Sequence, residues 1–478
     1  MKMCDVVIIG GGVIGTAVAR ELSRYKISIS LLEKEEELAF GVSKSNSGII
    51  HPGTKNPPGS LKGRLCVEGN KLTRQLAKEL YIDFKMVGEL VVAFNKEDVA
   101  RLLGIMADGI RLGVPGLKMV DKKWLKKNEP NLSDKAVAAL YAPTAGIISP
   151  YRWVYDFAEN AAKNGVEIRT DTAVKNIIPL KPGFKIETSN EPVLARFIVN
   201  AAGLYADEIS KMAGVSSFKI TPRKGEEFLL DKKREHITNH LLFPLPSKTS
   251  KGILVTRTAD GNPMIGPTSE EVDDKDDLET TASGLEKTLA GARMLVPSIS
   301  ENDIIAYFAG LRPVAGDDFI IRHEDKSPGL VNVAGIQSPG LTAAPAIAIM
   351  VAGILKANGL ALKKKQIFHK HRKKDVHIFS LPREKVKRII ASDAAYGDIV
   401  CRCETVSAGE VRDAIARGAK TMDGIKFRTR AQAGRCHGSF CTTRLIKILA
   451  EAAKKSALEV TKRGRGSELV KRDRIKSE

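Results

Sequence analysis

The chain has 478 residues, 43% of them hydrophobic, and a formal net charge of +20. That length divides into two or three domains and can bury a large core. It opens without the basic, apolar and small-residue succession of a secretory leader, and no apolar run reaches the roughly 18 residues of a membrane span, so a cytoplasmic protein is expected, held at a membrane at most through a partner.

CDVVIIG at Cys4–Gly10 is a near-continuous apolar strand of the kind buried in parallel sheets. VIGTAVARELSRY follows with helical periodicity, and ISISLLE returns to strand. These three segments predict a β-α-β unit. A loop rich in Ser, Gly, Asn and Pro occupies Phe40–Ser60. Ser60–Leu80 then reads as helix and GELVVAF at Gly88–Phe94 as strand. Helix is expected over Tyr151–Asn164, strand and turn over Gly165–Leu180, and a buried strand in ARFIVNAAG at Ala195–Gly203. Between Phe218 and Gly310 strands and turns dominate. FKITPRKGEEFLL and KGILVTRTADGNPMIGP read as strands of an antiparallel layer able to roof a site on the first domain. Leu330–Gly335 is a further strand. AAPAIAIMVAGIL at Ala343–Leu355, 13 residues long, reads as a buried helix too short to cross a bilayer.

Gly10, Gly12 and Gly15 form GxGxxG between the first strand and its helix. The first glycine permits a tight turn, the second close approach of a phosphate, and the third close helix–strand packing. The first helical turn, with Val13 and Ile14, then presents amides to a pyrophosphate. Glu33 closes the next strand, where a carboxylate accepts hydrogen bonds from a ribose diol. A purely structural glycine turn does not explain Glu33, so a dinucleotide is expected. Two later segments favour FAD over NAD. FIVNAAGLYAD at Phe197–Asp207 looks like a strand passing the dinucleotide a second time. VNVAGIQSPGLTAAPAIA at Val331–Ala348 puts a glycine-flanked loop before a helix whose dipole would stabilise reduced flavin. The further candidate cofactor contacts are Ser47, Val174, Ala202, Gly203, Gly335, Gly340, Leu341 and Thr342.

Residues 361–395 are basic and read as a connector without clear period. Lys363–Arg388 holds eleven Lys and Arg against two acids, and Arg444–Glu478 eleven against five. These are expected to be solvated faces or docking surfaces for acidic proteins. No helix-turn-helix or RNA-binding motif accompanies them, so nucleic acid is not expected as a partner. A small module follows, with helices at Ser407–Gly418 and Thr442–Lys455, the first opened by the capping box of Ser407 and Glu410. Four of the six cysteines crowd into it, as Cys401-Arg-Cys403 and Cys436-x4-Cys441. Four thiolates can hold a [2Fe–2S] cluster or zinc. Zinc sites prefer CxxC knuckles, so the CxC and CxxxxC spacing points away from zinc. His437 lies between ligands and is expected to bond a sulfur or face solvent. The tail from residue 461 is polar.

The run KSNSGIIHPGTKNPPGSLKGRLCVEGN is similar to the corresponding stretch of L-2-hydroxyglutarate oxidases, within the D-amino-acid oxidase superfamily. FAGLRPVAGDDFIIR and DGNPMIGPT are of the type seen there, including in FAD-dependent sn-glycerol-3-phosphate dehydrogenases. CRCETVSAGEV with GRCHGSFC resembles the [2Fe–2S] domain of bacterioferritin-associated ferredoxin, in the form fused to anaerobic glycerol-3-phosphate dehydrogenases. The resemblance implies an α/β (α+β overall) architecture. A Rossmann-type FAD-binding part at about 1–90, 145–215 and 325–360 is interleaved with an antiparallel substrate part at about 91–144 and 216–324. A connector (361–395), a helical [2Fe–2S] domain (396–460) and a tail (461–478) follow.

The resemblance also implies oxidation of a small anionic alcohol by hydride transfer to FAD, with electrons leaving singly through [2Fe–2S] to a redox partner subunit, itself a flavoprotein or quinone-linked. The substrate expected first is sn-glycerol 3-phosphate. L-2-hydroxyglutarate or another 2-hydroxy acid is the alternative, amine oxidation the third, and a non-catalytic electron-transfer subunit stands as a different class. His51 is the candidate base, since its pKa range suits proton transfer near neutrality; packing beside the flavin is its structural alternative. Arg312 and Arg257 are candidates to grip a carboxylate or phosphate through the bidentate guanidinium fork, with Lys224 behind them.

Overall fold

The computed structural model describes residues 3–246 and 252–471. Contacts divide the chain into two compact units. The first comprises residues 1–32, 39–169 and 174–372; the second comprises 33–38, 170–173 and 373–478. The inclusion of two short early segments in the second unit was not anticipated from sequence.

In the first unit, the strand Cys4–Ile9 pairs in parallel with Ile29–Leu32 on one side and Val193–Asn200 on the other. Its Val6, Val7, Ile8 and Ile9 are all buried, which is why the run carries no alternation. The sheet has eight strands. It extends through Phe184–Thr188 and Val174–Pro179 at one end and Glu167–Arg169 at the other, while Leu330–Ala334 also pairs with Val193–Asn200. The helices Val13–Leu22, Pro150–Lys163 and Gly340–Ala357 pack with it. Pro150 starts its helix at a position where its missing N–H costs nothing.

The Gly340–Ala357 helix is longer than the 13-residue run read from sequence. Its 18 residues, mean hydropathy 1.7, meet the length and composition of a membrane span, contrary to the expectation that no segment would. In this fold 61% of it is buried, against the Val13–Leu22 and Leu61–Glu79 helices, and the apolar composition serves packing on both flanks. Gly69 lets the latter helix approach, since a Cβ there would lie 2.1 Å from the Thr342 carbonyl oxygen.

The second sheet of this unit has nine strands among the described residues. In order they are Glu270–Glu271, Thr221–Leu230, Pro263–Gly266, Leu254–Arg257, Leu241–Phe243, Glu89–Ala93, Ala138–Ala142 and Lys118–Asp121, with Ile304–Val314 along the open side of Thr221–Leu230. The layer expected to be antiparallel contains one parallel pair, Leu241–Phe243 on Glu89–Ala93. Leu90 and Val92 join Phe228, Leu242 and Ile265 in one core, and Val91 and Ala93 join Leu241 and Phe243 in another. Both faces are therefore covered, and Glu89 begins its strand fully buried.

The second unit holds the helices Ala408–Ala416 and Thr442–Ala453 close to where they were expected, with the Ser407–Glu410 capping box formed. Two helices were missed. Met422–Thr429 carries Gly and Thr and has little amphipathic pattern. Arg383–Ser392 lies in the segment read as a connector without period; none of its residues is buried, so charges obscure the Val386, Ile389 and Ile390 spacing. Glu37 is buried in this unit and accepts from the Lys420 and Thr421 amides (2.7 and 3.2 Å) and from the Arg428 guanidinium (3.1 Å). The tail is described to Lys471, with Thr461 bridging Glu468; its last residues, 472–478, lie outside the described residues.

Candidate active site and cofactor sites

The glycine turn has the geometry that its spacing demands. Gly10 sits at φ +112°, and a Cβ there would lie 2.4 Å from the Ala201 carbonyl oxygen; one on Gly15 would lie 1.9 Å from the Gly10 oxygen. No side chain larger than hydrogen fits at either place. Gly12 caps the Val13–Leu22 helix without a side-chain bond, and the first turn holds no acid. Val13 N–H donates to Ser43 Oγ at 2.9 Å. The helix start is thus positive and narrow, suited to a pyrophosphate beside Ile14. Glu33 directly follows the Ile29–Leu32 strand, and one of its oxygens accepts from the Glu35 amide at 3.0 Å.

A second helix start is the candidate for the flavin end. Gly335 lies at φ +65°, and Gly340, Leu341 and Thr342 form the first turn of the long apolar helix, again without a side-chain cap or an acid. Ala202 and Gly203 stand just past the Val193–Asn200 strand, in a 3-10 turn, and Val174 opens its own strand two neighbours away in the same sheet. Two helix starts on one sheet, neither with an acid in its first turn and the first with only its Val13 amide taken, by Ser43, fit a dinucleotide.

His51 is fixed from several sides. Its backbone N–H donates to Thr342 Oγ1 at 2.9 Å, and its carbonyl accepts from Asn70 Nδ2 at 3.0 Å and from the Cys66 thiol at 3.6 Å. Its Nε2 lies 3.3 Å from Ser338 Oγ, in the loop before the apolar helix. Its Nδ1 lies 3.8 Å from Glu89 Oε2. Glu89 Oε1 accepts from Lys55 Nζ and, at 3.2 Å, from Thr54 Oγ1. The Lys55 ammonium stands 3.2 Å from the centre of the Phe243 ring, whose own centre is 6.1 Å from that of His51. Burial alone would raise the Glu89 pKa, but Lys55 and then His51 overcome it and hold the carboxyl at about 2.

Arg312 is half-buried on the Ile304–Val314 strand, donating to the Thr268 carbonyl at 2.9 Å. A Cβ on Gly225 would lie 2.3 Å from its Nη2, so that glycine makes room for the guanidinium. Burial lowers the Arg312 pKa, and the Glu227 charge partly restores it. Glu227 accepts from the Ser47 hydroxyl. Its carboxyl is raised to about 7 by burial, with Ser47 and Arg312 offsetting only part. Ser47, a candidate flavin contact, is thereby tied to the strand layer.

The other two cations have partners of their own. Arg257 Nη2 lies 3.3 Å from Glu235 Oε1, and Lys224 Nζ 2.7 Å from Asp277 Oδ2. Glu89, Lys55 and Glu227 were missed in the sequence. Glu227 offered a signal, an ionisable residue inside an apolar strand; Glu89, at a strand start, and Lys55, in a loop, read as solvated charges.

In the second unit Cys403 Sγ lies 3.3 Å from Cys436 Sγ, and the Cys441 thiol interacts with Cys401. Burial first, then Cys401, push the Cys441 thiol up to about 12. Gly434 is obligatory, since a Cβ would lie 2.3 Å from the Cys403 Cβ. His437 is exposed, at φ +49°, its backbone N–H donating to the Gly434 carbonyl. The thiols stand as two pairs, and among the described residues no three of them form a group placed to hold one metal ion; as thiolates they would repel, and a bound cationic centre would relieve that repulsion. The donor set, all sulfur and in two pairs, fits [2Fe–2S].

The folds and donor sets define a flavoprotein with an iron–sulfur module. Residues 5–354 match the FAD dependent oxidoreductase family and residues 399–451 the BFD-like [2Fe-2S] binding domain. The chain belongs to the FAD dependent oxidoreductase family, and its cofactors are FAD and a [2Fe–2S] cluster. It is 41% identical to a glycerol 3-phosphate dehydrogenase of Caloramator mitchellensis, across 98% of both chains. It is 30% identical to a mitochondrial L-2-hydroxyglutarate dehydrogenase of Caenorhabditis elegans, across 73% of this chain and 92% of that one. Among solved structures, an FAD-bound, dithionite-reduced L-alpha-glycerophosphate oxidase from Mycoplasma pneumoniae superposes with a TM-score of 0.73 and 32% identity. The match covers 78% of this chain and all of that one.

Proposed function

We propose that the protein is a dehydrogenase of sn-glycerol 3-phosphate, with His51 as general base and Arg312 as the cation that holds the substrate's anionic end. The observation that carries this reading is the 41% identity to a glycerol 3-phosphate dehydrogenase, which runs through both the flavin unit and the cysteine module. When bound, FAD supplies a two-electron acceptor for the carbinol hydride, and [2Fe–2S] a one-electron outlet. The chain's own part is to orient the alcohol and take its hydroxyl proton at His51 Nε2. Arg257 and Lys224, already paired with Glu235 and Asp277, are less suited to grip the anion.

The electron acceptor we infer is an acidic redox protein. Around the cysteines Arg402 and Arg435 are exposed, and Phe440, next to Cys441, is 79% exposed. L-2-hydroxyglutarate is the second substrate reading, favoured by the relatives at 30% identity.

Anaerobic mixing with a panel of polyol phosphates and hydroxy acids tests the choice. Rapid flavin bleaching by sn-glycerol 3-phosphate is expected. Bleaching by L-2-hydroxyglutarate alone would transfer the reading to that acid, and bleaching by dithionite but no alcohol would refute both.

A further inference from the structure

We propose that Glu89 and Lys55 act as one buried ion pair that positions His51 and sets its charge: Glu89 holds the ring by Nδ1, so that Nε2 meets the substrate, and Lys55 keeps that carboxylate from locking the ring as imidazolium. This rests on the reading of His51 as the base.

The geometry assigns one carboxylate oxygen to each task. Oε1 is taken by Lys55 and Thr54, leaving Oε2 on the His51 side at 3.8 Å. Glu89 is fully buried and the Lys55 side chain 3% exposed, with the Phe243 ring against the ammonium. Packing alone does not call for such a pair, because apolar side chains of the same volume do as well or better at such a place. The backbone of His51 is anchored separately, through Thr342 and Asn70, so the ion pair is not needed to hold the main chain. What it biases is the ring. An anion 3.8 Å from Nδ1, beyond hydrogen-bond distance, still favours the tautomer protonated there and leaves the lone pair on Nε2.

The proton step then balances. The substrate O–H bond breaks, Nε2–H forms, and the new imidazolium lies beside Glu89, while the carbinol C–H leaves with its electron pair to the two-electron acceptor. A lone carboxylate at this distance in an apolar pocket would hold His51 protonated before substrate arrived. Lys55 opposes that field, so on this proposal the ring can rest neutral and still gain a counter-ion during reaction. Among the described groups that meet His51 are four that are uncharged in their ordinary forms: Cys66 from the Leu61–Glu79 helix, Ser338 and Thr342 from the flavin-side loop and helix, and Phe243 from the strand layer.

The pair makes a prediction that a merely structural role does not. Glu89→Gln leaves Lys55 alone near the ring, and the His51 pKa falls; Lys55→Met leaves Glu89 alone, and it rises. Each shift is about one unit, and the double substitution returns close to the wild-type value. The measurement is a titration of holoenzyme carrying carbon-13-labelled histidine, with His51 assigned by the signal missing in His51→Asn. It needs no substrate, so it judges the pair even if no anionic alcohol bleaches the flavin and the functional reading falls. In turnover the acid limb of kcat/KM moves in the same two directions. A His51 pKa unchanged in both single variants would overturn the proposal. If neither single variant retains FAD, the double variant decides. A fall in kcat of about tenfold with little change in KM is expected, and wild-type kcat would overturn the assignment.

Discussion

Glu89 and Glu227 are both buried in the flavin unit, and each touches a residue expected to meet substrate or flavin: His51 for the first, Ser47 for the second. Burial pushes both toward the neutral acid. For Glu89, Lys55 and His51 reverse that push and the pKa settles at about 2. For Glu227, a neutral serine bonds one oxygen, Arg312 acts without a direct bond, and the pKa settles at about 7. The depth is the same and the charge differs, so direct contact with a cation decides which carboxyl is an anion at neutral pH. One site thus holds a permanent negative charge beside the proposed base, and the other a carboxyl that changes charge between about 4.5 and 7.

The harshest way to break this contrast is to remove one member of the tight pair. Glu89→Ala strands the Lys55 ammonium among apolar side chains and should cost about 3–5 kcal/mol of stability. Denaturant unfolding should show most of this recovered when Lys55→Met is added. Equal stability of the single and double variants would show that no buried charge had been stranded.

A smaller effect sharpens the other half. Glu227 keeps its proton in the folded chain up to about 7, whereas its ordinary carboxyl value is 4.5. The folded form therefore binds the extra proton between those values. Stability from this group is full below 4.5, falls by roughly 3 kcal/mol as pH rises to 7, and is flat above. Glu89 acts in the opposite sense: its contribution is full above 4.5 and is lost as pH falls toward 2. Unfolding free energies across this range should show the Glu227 slope in the wild type and lose it in Glu227→Gln. The same slope in both would rule out a raised carboxyl there.

The flavin-binding turn was legible because it is local. Gly10, Gly12 and Gly15 are placed by adjacent strand and helix, and the short distances a Cβ would make at Gly10 and Gly15 are the reason for glycine. The four cysteines were legible because sulfur in that spacing has few other uses. The neighbours of His51 were not legible, because pairing of distant strands creates them. Glu89 follows a glycine at the start of a strand and reads as a solvated charge until Leu241 and Phe243 come alongside and cover it. Lys55 reads as a loop lysine until Glu89 takes it. Arg257 shows the same limit from the other side. Its residue type suits an anion, but Glu235, 22 residues earlier in the chain, takes it up. The Arg383–Ser392 helix escaped notice because it buries no residue.

The central claim is that electrons enter from an anionic alcohol at the flavin and leave through the four thiolates. The most direct test adds sn-glycerol 3-phosphate to the oxidised protein without air and follows flavin absorbance together with the electron paramagnetic resonance of the cluster. The account predicts bleaching with the signal of reduced [2Fe–2S], and bleaching without that signal in Cys403→Ser. A flavin that stays oxidised, or a wild-type cluster that dithionite reduces and substrate does not, would contradict it.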